Sequence, residues 1–228
     1  MDGILPVDKP TGITSHDVVD ILRRILPGPK IGHGGTLDPM ATGLLLLLVG
    51  SATKRSEQLL GLDKSYLATV TLGMTTDTWD LEGKVLKRTA VPALKLEQVN
   101  GVCEQFRGEI EQKIPAYSAV RFKGKRGYEL ARAGKEVPER LRRVRIDMLK
   151  ILKFSKDQLE LEVTCSKGTY IRSLAHELGE ALGCGGTLTA LRRVRIGDWS
   201  IDQAHRLDDL KEAPASEVAE FLQSPVSA

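Results

Sequence analysis

The chain has 228 residues and a mass of 25.0 kDa, and it is 41% hydrophobic, 28% charged and 4% aromatic with a formal net charge of +3. That composition excludes disordered, collagenous and fibrous classes, and a chain of this length buries about 70% of its unfolded surface without staples. The longest apolar run, Leu44 to Val49, is too short to cross a bilayer, and the opening MDGILPVDKP lacks the basic start and long apolar stretch of a leader, so an unprocessed cytoplasmic chain is expected.

Gly3 to Val7 reads as a short strand, closed by a Pro10-Thr11-Gly12 turn. Thr14 offers a helix cap, and with Asp17 it resembles a capping box. Val18, Ile21, Leu22 and Ile25 then recur at helical spacing until Pro27-Gly28-Pro29 ends the helix. Next comes GHGGTLDPMATG, Gly32 to Gly43, in which five glycines or prolines surround a single carboxylate, Asp38. The glycines permit unusual backbone angles and Pro39 pushes Asp38 away from helical geometry, so the carboxylate is held on a shaped loop. Asp38 is the only acidic residue between Asp20 and Glu57, which excludes a local carboxylate pair for sugar hydrolysis or a metal. No GxGxxG and no GK[ST] accompany the glycines, so nucleotide-binding fingerprints are absent. Taken alone, Asp38 is equally readable as a turn residue that hydrogen-bonds its own backbone.

Ser65 to Leu72 alternates Tyr66, Ala68, Val70 and Leu72 with Leu67, Thr69 and Thr71, a strand pattern. Leu159, Leu161, Val163 and Cys165 make a second strand, which runs through Ser166-Lys167-Gly168-Thr169 into a helix with Leu174, Leu178, Ala181 and Leu182 on one face. Strands and helices mix without regular alternation, so the expected class is α+β, a mixed central sheet flanked by helices and loops. No internal repeat or low-complexity tract interrupts the chain, and residues 1–228 are expected to form a single domain. Cys103, Cys165 and Cys184 are widely spaced and without CxxC, which points to buried reduced thiols rather than disulfides or zinc ligands.

Charge is unevenly distributed. Arg121 to Lys156 carries 13 Lys plus Arg against 4 Asp plus Glu, a local +9, leaving −6 for the rest, while the stretch from Asp198 onward has 2 basic and 7 acidic residues. A polyanion responds to distribution rather than to net charge. Gly124, Gly127 and Gly134 punctuate the basic segment and Tyr117, Phe122 and Tyr128 intersperse it, as in a mobile loop draped over RNA or a simple surface hairpin.

Five stretches, in order, resemble the motifs of the TruB family of tRNA pseudouridine synthases. They are GILPVDKPTGITSHDVV from Gly3, GHGGTLDPMATG from Gly32, DKSYLATVTLG from Asp63, IPAYSAVRFKGKRGYELARAGKEV from Ile114 and CSKGTYIRSLAHELGEALGCGGTLTALRRVRIG from Cys165. The resemblance implies the pseudouridine synthase fold and isomerisation of uridine at position 55 in the tRNA T-loop. The N1–C1′ bond is cleaved, the uracil turns, and a C5–C1′ bond forms, with no cofactor and no metal. The family's catalytic aspartate falls on Asp38, acting either as nucleophile or in removal of the C2′ proton, and its arginine partner falls on Arg172. An arginine in the first turn of a helix opposes the helix dipole, which calls for a compensating anion. Tyr66 matches the tyrosine that stacks on the target base, worth about 1–3 kcal/mol. His33 matches a histidine that contacts a displaced T-loop nucleotide, and Tyr170 and Leu191 match positions lining the uridine pocket. Outside the resemblance each has an ordinary reading: a helix-surface arginine, core or helix-start side chains, an incidental loop histidine.

Lys9 and Lys64 lie inside matched motifs, where phosphate contact or motif packing is expected but not catalysis. The basic segment overlaps the family's RNA-contacting insertion, about 114–145. No C-terminal PUA domain is expected, because little sequence follows the last motif. The expected partner is the tRNA T-stem-loop, recognised by shape with its uridine flipped out, by a monomer that engages no membrane. The alternative is a non-catalytic RNA-binding or RNA-folding module of the same fold, for which a carboxylate at position 38 beside phosphate-rich RNA is a disadvantage. A nucleoside hydrolase needs an activated water, and no second acid or metal cluster is evident to supply one.

Overall fold

A computed structural model describes residues 1–122 and 124–224. In chain order the first elements are β1 (Gly3–Lys9), α1 (Ser15–Ile25), β2 (Ile31–His33), β3 (Thr42–Val49), a 3-10 turn (Gly50–Arg55), α2 (Ser56–Gly61) and β4 (Lys64–Leu72). They are followed by β5 (Met74–Thr76), β6 (Val85–Arg88), α3 (Leu96–Glu104), β7 (Gly108–Lys113), β8 (Arg121–Phe122), β9 (Lys125–Arg126), α4 (Gly127–Arg132) and β10 (Leu141–Ser155). The remainder is β11 (Gln158–Cys165), α5 (Ile171–Ala181), β12 (Gly186–Ile196), β13 (Trp199–Ser200), β14 (His205–Arg206), α6 (Leu207–Glu212) and α7 (Ala215–Glu220). The expected α+β arrangement, a mixed sheet flanked by helices and loops, is present with most of its strand pairs antiparallel, and tertiary contacts group the chain into two units, one of residues 1–66 with the chain from Leu191 onward, the other of residues 67–190.

In the first unit the strand order is β14-β1-β3-β12, with β2 on β3 and β13 on β12. The uninterrupted apolar run is β3, and it is apolar throughout because both faces are covered. Leu45, Leu47 and Val49 join Leu5, Val7, Val18, Leu22, Leu207 and Leu210 on one side, while Leu44, Leu46 and Leu48 meet Ile4, Leu59, Ile196 and Trp199 on the other. Each of these burials contributes about 1.5–3 kcal/mol, and together they make β3 the spine of the unit. Helix α1 begins as the sequence implies: the Thr14 hydroxyl accepts from the Asp17 N–H while the Asp17 carboxylate accepts from the Thr14 N–H.

In the second unit the order is β12-β4-β11-β10-β7, with α3 and α5 packed on it. Leu159, Leu161, Val163 and Cys165 of β11 are buried as alternation requires. On α5, Leu174 and Leu178 face inward and Leu182 is buried just beyond the helix, but Ala181 is exposed. The three cysteines are buried and free, and burial pushes the Cys103 thiol up to about 11.

The basic segment is neither a simple loop nor one hairpin. It folds as a two-rung ribbon, Arg121 with Arg126 and Phe122 with Lys125, then the short α4, then the 15-residue β10. Bulges between Ile146 and Met148 and between Ile151 and Lys153 break the two-residue period of β10, so its buried Val144, Ile146 and Leu149 do not alternate cleanly in sequence. Exposed ion pairs tie it in place: Arg145 with Asp147 at 2.6 Å within the segment, Arg143 with Glu111 of β7 at 3.6 Å, and its Glu139 with Lys113 of β7 at 2.6 Å.

Candidate active site

The first two motifs form one structure. The Asp38 loop leaves β2 and enters β3, and the turn after β1 grips it from beneath. The Gly12 N–H donates to the Pro39 carbonyl at 2.8 Å, and Thr11 Oγ1 donates to the Met40 carbonyl at 3.1 Å. Ser15, the first residue of α1, donates its hydroxyl to the Leu37 carbonyl at 3.2 Å and accepts the Leu37 N–H at 2.8 Å. Lys9 is fully buried, and its Nζ donates to the carbonyls of Pro10, Ile13 and Pro39 at 2.8, 2.7 and 3.3 Å. An ammonium withdrawn from water needs acceptors for its N–H groups, and the loop's own backbone supplies them. Lys64 behaves alike, donating to the carbonyls of Leu59, Leu60 and Leu62 at 3.3, 2.8 and 2.6 Å and so tying the end of α2 to the start of β4. Of the two expected roles for these lysines, motif packing is the one observed.

Tyr66, His33 and the backbone of the Asp38 loop meet at a residue of this unit that sequence reasoning passed over. Arg193 follows Leu191 on the inward face of β12 and is 2% exposed. Its Nε donates to the Leu44 carbonyl at 2.8 Å, Nη1 to Thr36 at 3.2 Å and Nη2 to Gly35 at 3.0 Å, so it touches the loop on both sides of Asp38. The Tyr66 side chain hydrogen-bonds the same guanidinium and supports its charge, against the desolvation that lowers its pKa. His33, half-buried, has its pKa lowered by burial, then by the Arg193 charge and by His16, so the imidazole is held neutral, and its Nδ1 accepts the Gly35 N–H at 3.4 Å. Leu191 is buried at 8% exposure, and its carbonyl accepts from Thr42 Oγ1 at 3.5 Å. Asp38 is half-buried in the middle of this frame. The available signal for Arg193 was a cation in phase with Leu191 on a strand, since residues two apart share a face.

Arg172 and Tyr170 belong to the second unit. Arg172 is the second residue of α5, buried at 6% exposure, in a first turn that holds no acidic residue. A compensating anion, asked for by the helix dipole, is present: Asp80, 2% exposed, lies 3.5 Å from Arg172 Nε. Arg172 also donates to the carbonyls of Thr78 at 3.2 Å and Tyr117 at 3.1 Å. Asp80 is itself oriented, accepting from Thr78 Oγ1 at 2.5 Å and from the Glu82 N–H at 3.0 Å. Between them Trp79 has a left-handed backbone, φ 63°, and stacks on His176 with ring centroids 4.5 Å apart. Tyr170, half-buried, caps α5, and its N–H donates to Gln112 Oε1 at 2.8 Å. Sequence reasoning missed Asp80 because an aspartate in TTDTWDLEG looks like a turn residue, and only the fold brings it to Arg172. Among the described residues no three His, Cys, Asp or Glu side chains gather to hold a metal ion.

Comparison with known proteins gives this geometry a context. Residues 23–171 match the model of the TruB family pseudouridylate synthase N-terminal domain, and residues 172–225 that of the tRNA pseudouridylate synthase B C-terminal domain. The tRNA pseudouridine synthase B of Mycobacterium tuberculosis H37Rv is 49% identical over 217 residues, 93% of this chain and 73% of that protein. That of Azoarcus sp. BH72 is 48% identical over 228 residues, 100% of this chain and 75% of that protein. Among solved structures, a Cbf5-Nop10-Gar1 complex aligns with TM-score 0.69 at 28% identity over 96% of this chain and 62% of that one. A chain of the archaeal box H/ACA sRNP Nop10-Cbf5 complex aligns with TM-score 0.67 at 29% identity, covering 92% of this chain and 53% of its own length. With both family models laid end to end across the two units, and the shaped aspartate loop inside the first of them, the chain belongs to the TruB family of pseudouridylate synthases.

Proposed function

We propose that the chain isomerises uridine to pseudouridine in tRNA, with Asp38 as the essential anion and position 55 of the T-loop as the target. The observation that carries this is near-half identity to tRNA pseudouridine synthases over 93% to 100% of the chain. It is supported by the rigid mounting of Asp38, because a carboxylate that must meet one ribose carbon gains rate from being held in place. In this reading Arg172 is the cation that partners Asp38 during the reaction, Tyr66 stacks on the uracil, Tyr170 and Leu191 line the base pocket, and neutral His33 contacts the nucleotide displaced from the T-loop. The N1–C1′ bond breaks, the uracil rotates, C5 bonds to C1′, and the C5 proton leaves to solvent while N1 takes one up. The T-arm is gripped by shape and phosphate charge, to which the ribbon and the outer face of β10 contribute. The enzyme acts as a cytoplasmic monomer.

The test is tritium release from unmodified tRNA carrying C5-tritiated uridine, with wild type beside Asp38→Asn. Wild type should release about one equivalent per tRNA and Asp38→Asn only a trace, while both bind the T-arm equally, because the amide nearly preserves shape and removes the charge. Release by Asp38→Asn above a trace overturns its role. Absence of release from both proteins, despite tight binding, points instead to an RNA-binding module.

A further inference from the structure

We propose that Arg193 is a positioning residue for the isomerisation, a single buried guanidinium that fixes both arms of the Asp38 loop and the Tyr66 ring with respect to one another. The inference rests on the reading that Asp38 carries the chemistry. Its geometry is specific to arginine. The planar fork donates in three directions, to Gly35 and Thr36 ahead of Asp38 and to Leu44 behind it, at 3.0, 3.2 and 2.8 Å, and the Tyr66 side chain takes a fourth interaction. The width of the guanidinium thus sets the separation of the two arms from which Asp38 is suspended. The backbone of Arg193 contributes as well. It is in parallel register with Gly43, and there is no room between them for a side chain, since a Cβ on Gly43 would lie 2.3 Å from the Arg193 carbonyl oxygen.

A purely structural role is a poor account of this residue. A buried cation carries a desolvation cost that an apolar side chain of similar volume avoids, and β12 is flanked by leucines that fill the same layer with no such cost. What the charge supplies is a set of charge-assisted hydrogen bonds to carbonyls on either side of Asp38 and to the phenol oxygen of the tyrosine assigned to the base. A lysine retains the charge but not the fork, so it reaches fewer of these acceptors and leaves the spacing of the arms unset.

Wild type, Arg193→Lys and Arg193→Met are compared under saturating tRNA, at a temperature at which circular dichroism shows each variant fully folded. The expected result is a fall in kcat of about 10-fold for Arg193→Lys and about 100-fold for Arg193→Met, the scale of a misplaced catalytic group, with KM within about threefold of wild type. If Arg193→Met does not fold, Arg193→Lys decides alone. A kcat for Arg193→Lys within twofold of wild type overturns the proposal, as does a loss confined to KM, which would make Arg193 an RNA-affinity residue. A kcat deficit that disappears once the variant is as fully folded as wild type overturns it too, in favour of stability alone. Failure of the wild type to release tritium is a different result and refutes the proposed activity rather than the role of Arg193.

Discussion

Replacing Gly43 by alanine asks how far the Asp38 loop depends on the closeness of β3 and β12. Gly43 has φ +100°, and an ideal Cβ would lie 2.3 Å from the Arg193 carbonyl oxygen, 2.9 Å from its nitrogen and 3.0 Å from its carbonyl carbon. All three are backbone atoms, so no side-chain rotation relieves the contact. The strands would have to part by about 1 Å to restore van der Waals spacing. That breaks the pairing of Thr42 with Arg192 and of Gly43 with Arg193. Two strained ladder bonds at about 1 kcal/mol each and about 1–2 kcal/mol for the left-handed backbone sum to about 3–4 kcal/mol of lost stability. Gly134 is the comparison: φ +65°, with nothing within 4 Å of its Cβ position, so alanine there meets only the backbone penalty of about 1–2 kcal/mol. Urea unfolding followed by circular dichroism measures both, and single-turnover tritium release measures the catalytic consequence. Gly43→Ala should lose at least about 1 kcal/mol more than Gly134→Ala and turn over more slowly even when fully folded. Equal midpoints for the two variants would show that β12 yields freely at Gly43, and the account of a rigidly mounted loop would be wrong.

Lys9→Met should destabilise the protein by about 3 kcal/mol or more, because the carbonyls of Pro10, Ile13 and Pro39 lose a charged donor, while the salt dependence of RNA binding stays as in wild type. A slope lowered by about one unit would put the ammonium on a phosphate instead. His33 and His176 are both held below the ordinary value of 6.5, chiefly by burial, so between 6.5 and their folded values the unfolded chain binds more protons than the folded one. Stability therefore rises with pH across that window and is lost as pH falls through it. His176→Gln should flatten the dependence of the urea midpoint on pH between about 7 and 5, and an unaltered slope would show that burial of His176 makes no titration-linked contribution.

Local rules succeeded where one short stretch decides the outcome. The capping box at Thr14 and Asp17 needs four residues and nothing else, and β4 and β11 alternate because each buries one face. They fell short where the second partner is distant. The run Leu44 to Val49 has no period to read, because helix α1 covers one side of β3 and α2 with Trp199 covers the other. Strand β10 hides behind two bulges that shift its buried set out of phase, and its exposed arginines then dominate the pattern, so a strand reads as a charged excursion.

The site divides in the same way, and the division has a chemical cause. Asp38 stands out as a lone carboxylate in a glycine-rich loop, whereas Tyr66 and His33 are ordinary by residue type and were carried by the family motifs. Lys9, Lys64 and Arg193 are cations in strands, which by composition belong on a surface, yet each is buried and donates to main-chain carbonyls. A carbonyl is present at every position, so no partner residue appears in the sequence to announce the contact. The same fact explains what these cations achieve. Because main-chain carbonyls are among their acceptors, they fix the path of the backbone whatever side chains it carries. The contrast is Arg172, whose second-unit frame includes a carboxylate, Asp80, as well as carbonyls. A cation so held keeps one fixed orientation, a preorganised charge that needs no rearrangement when an opposite charge develops near it.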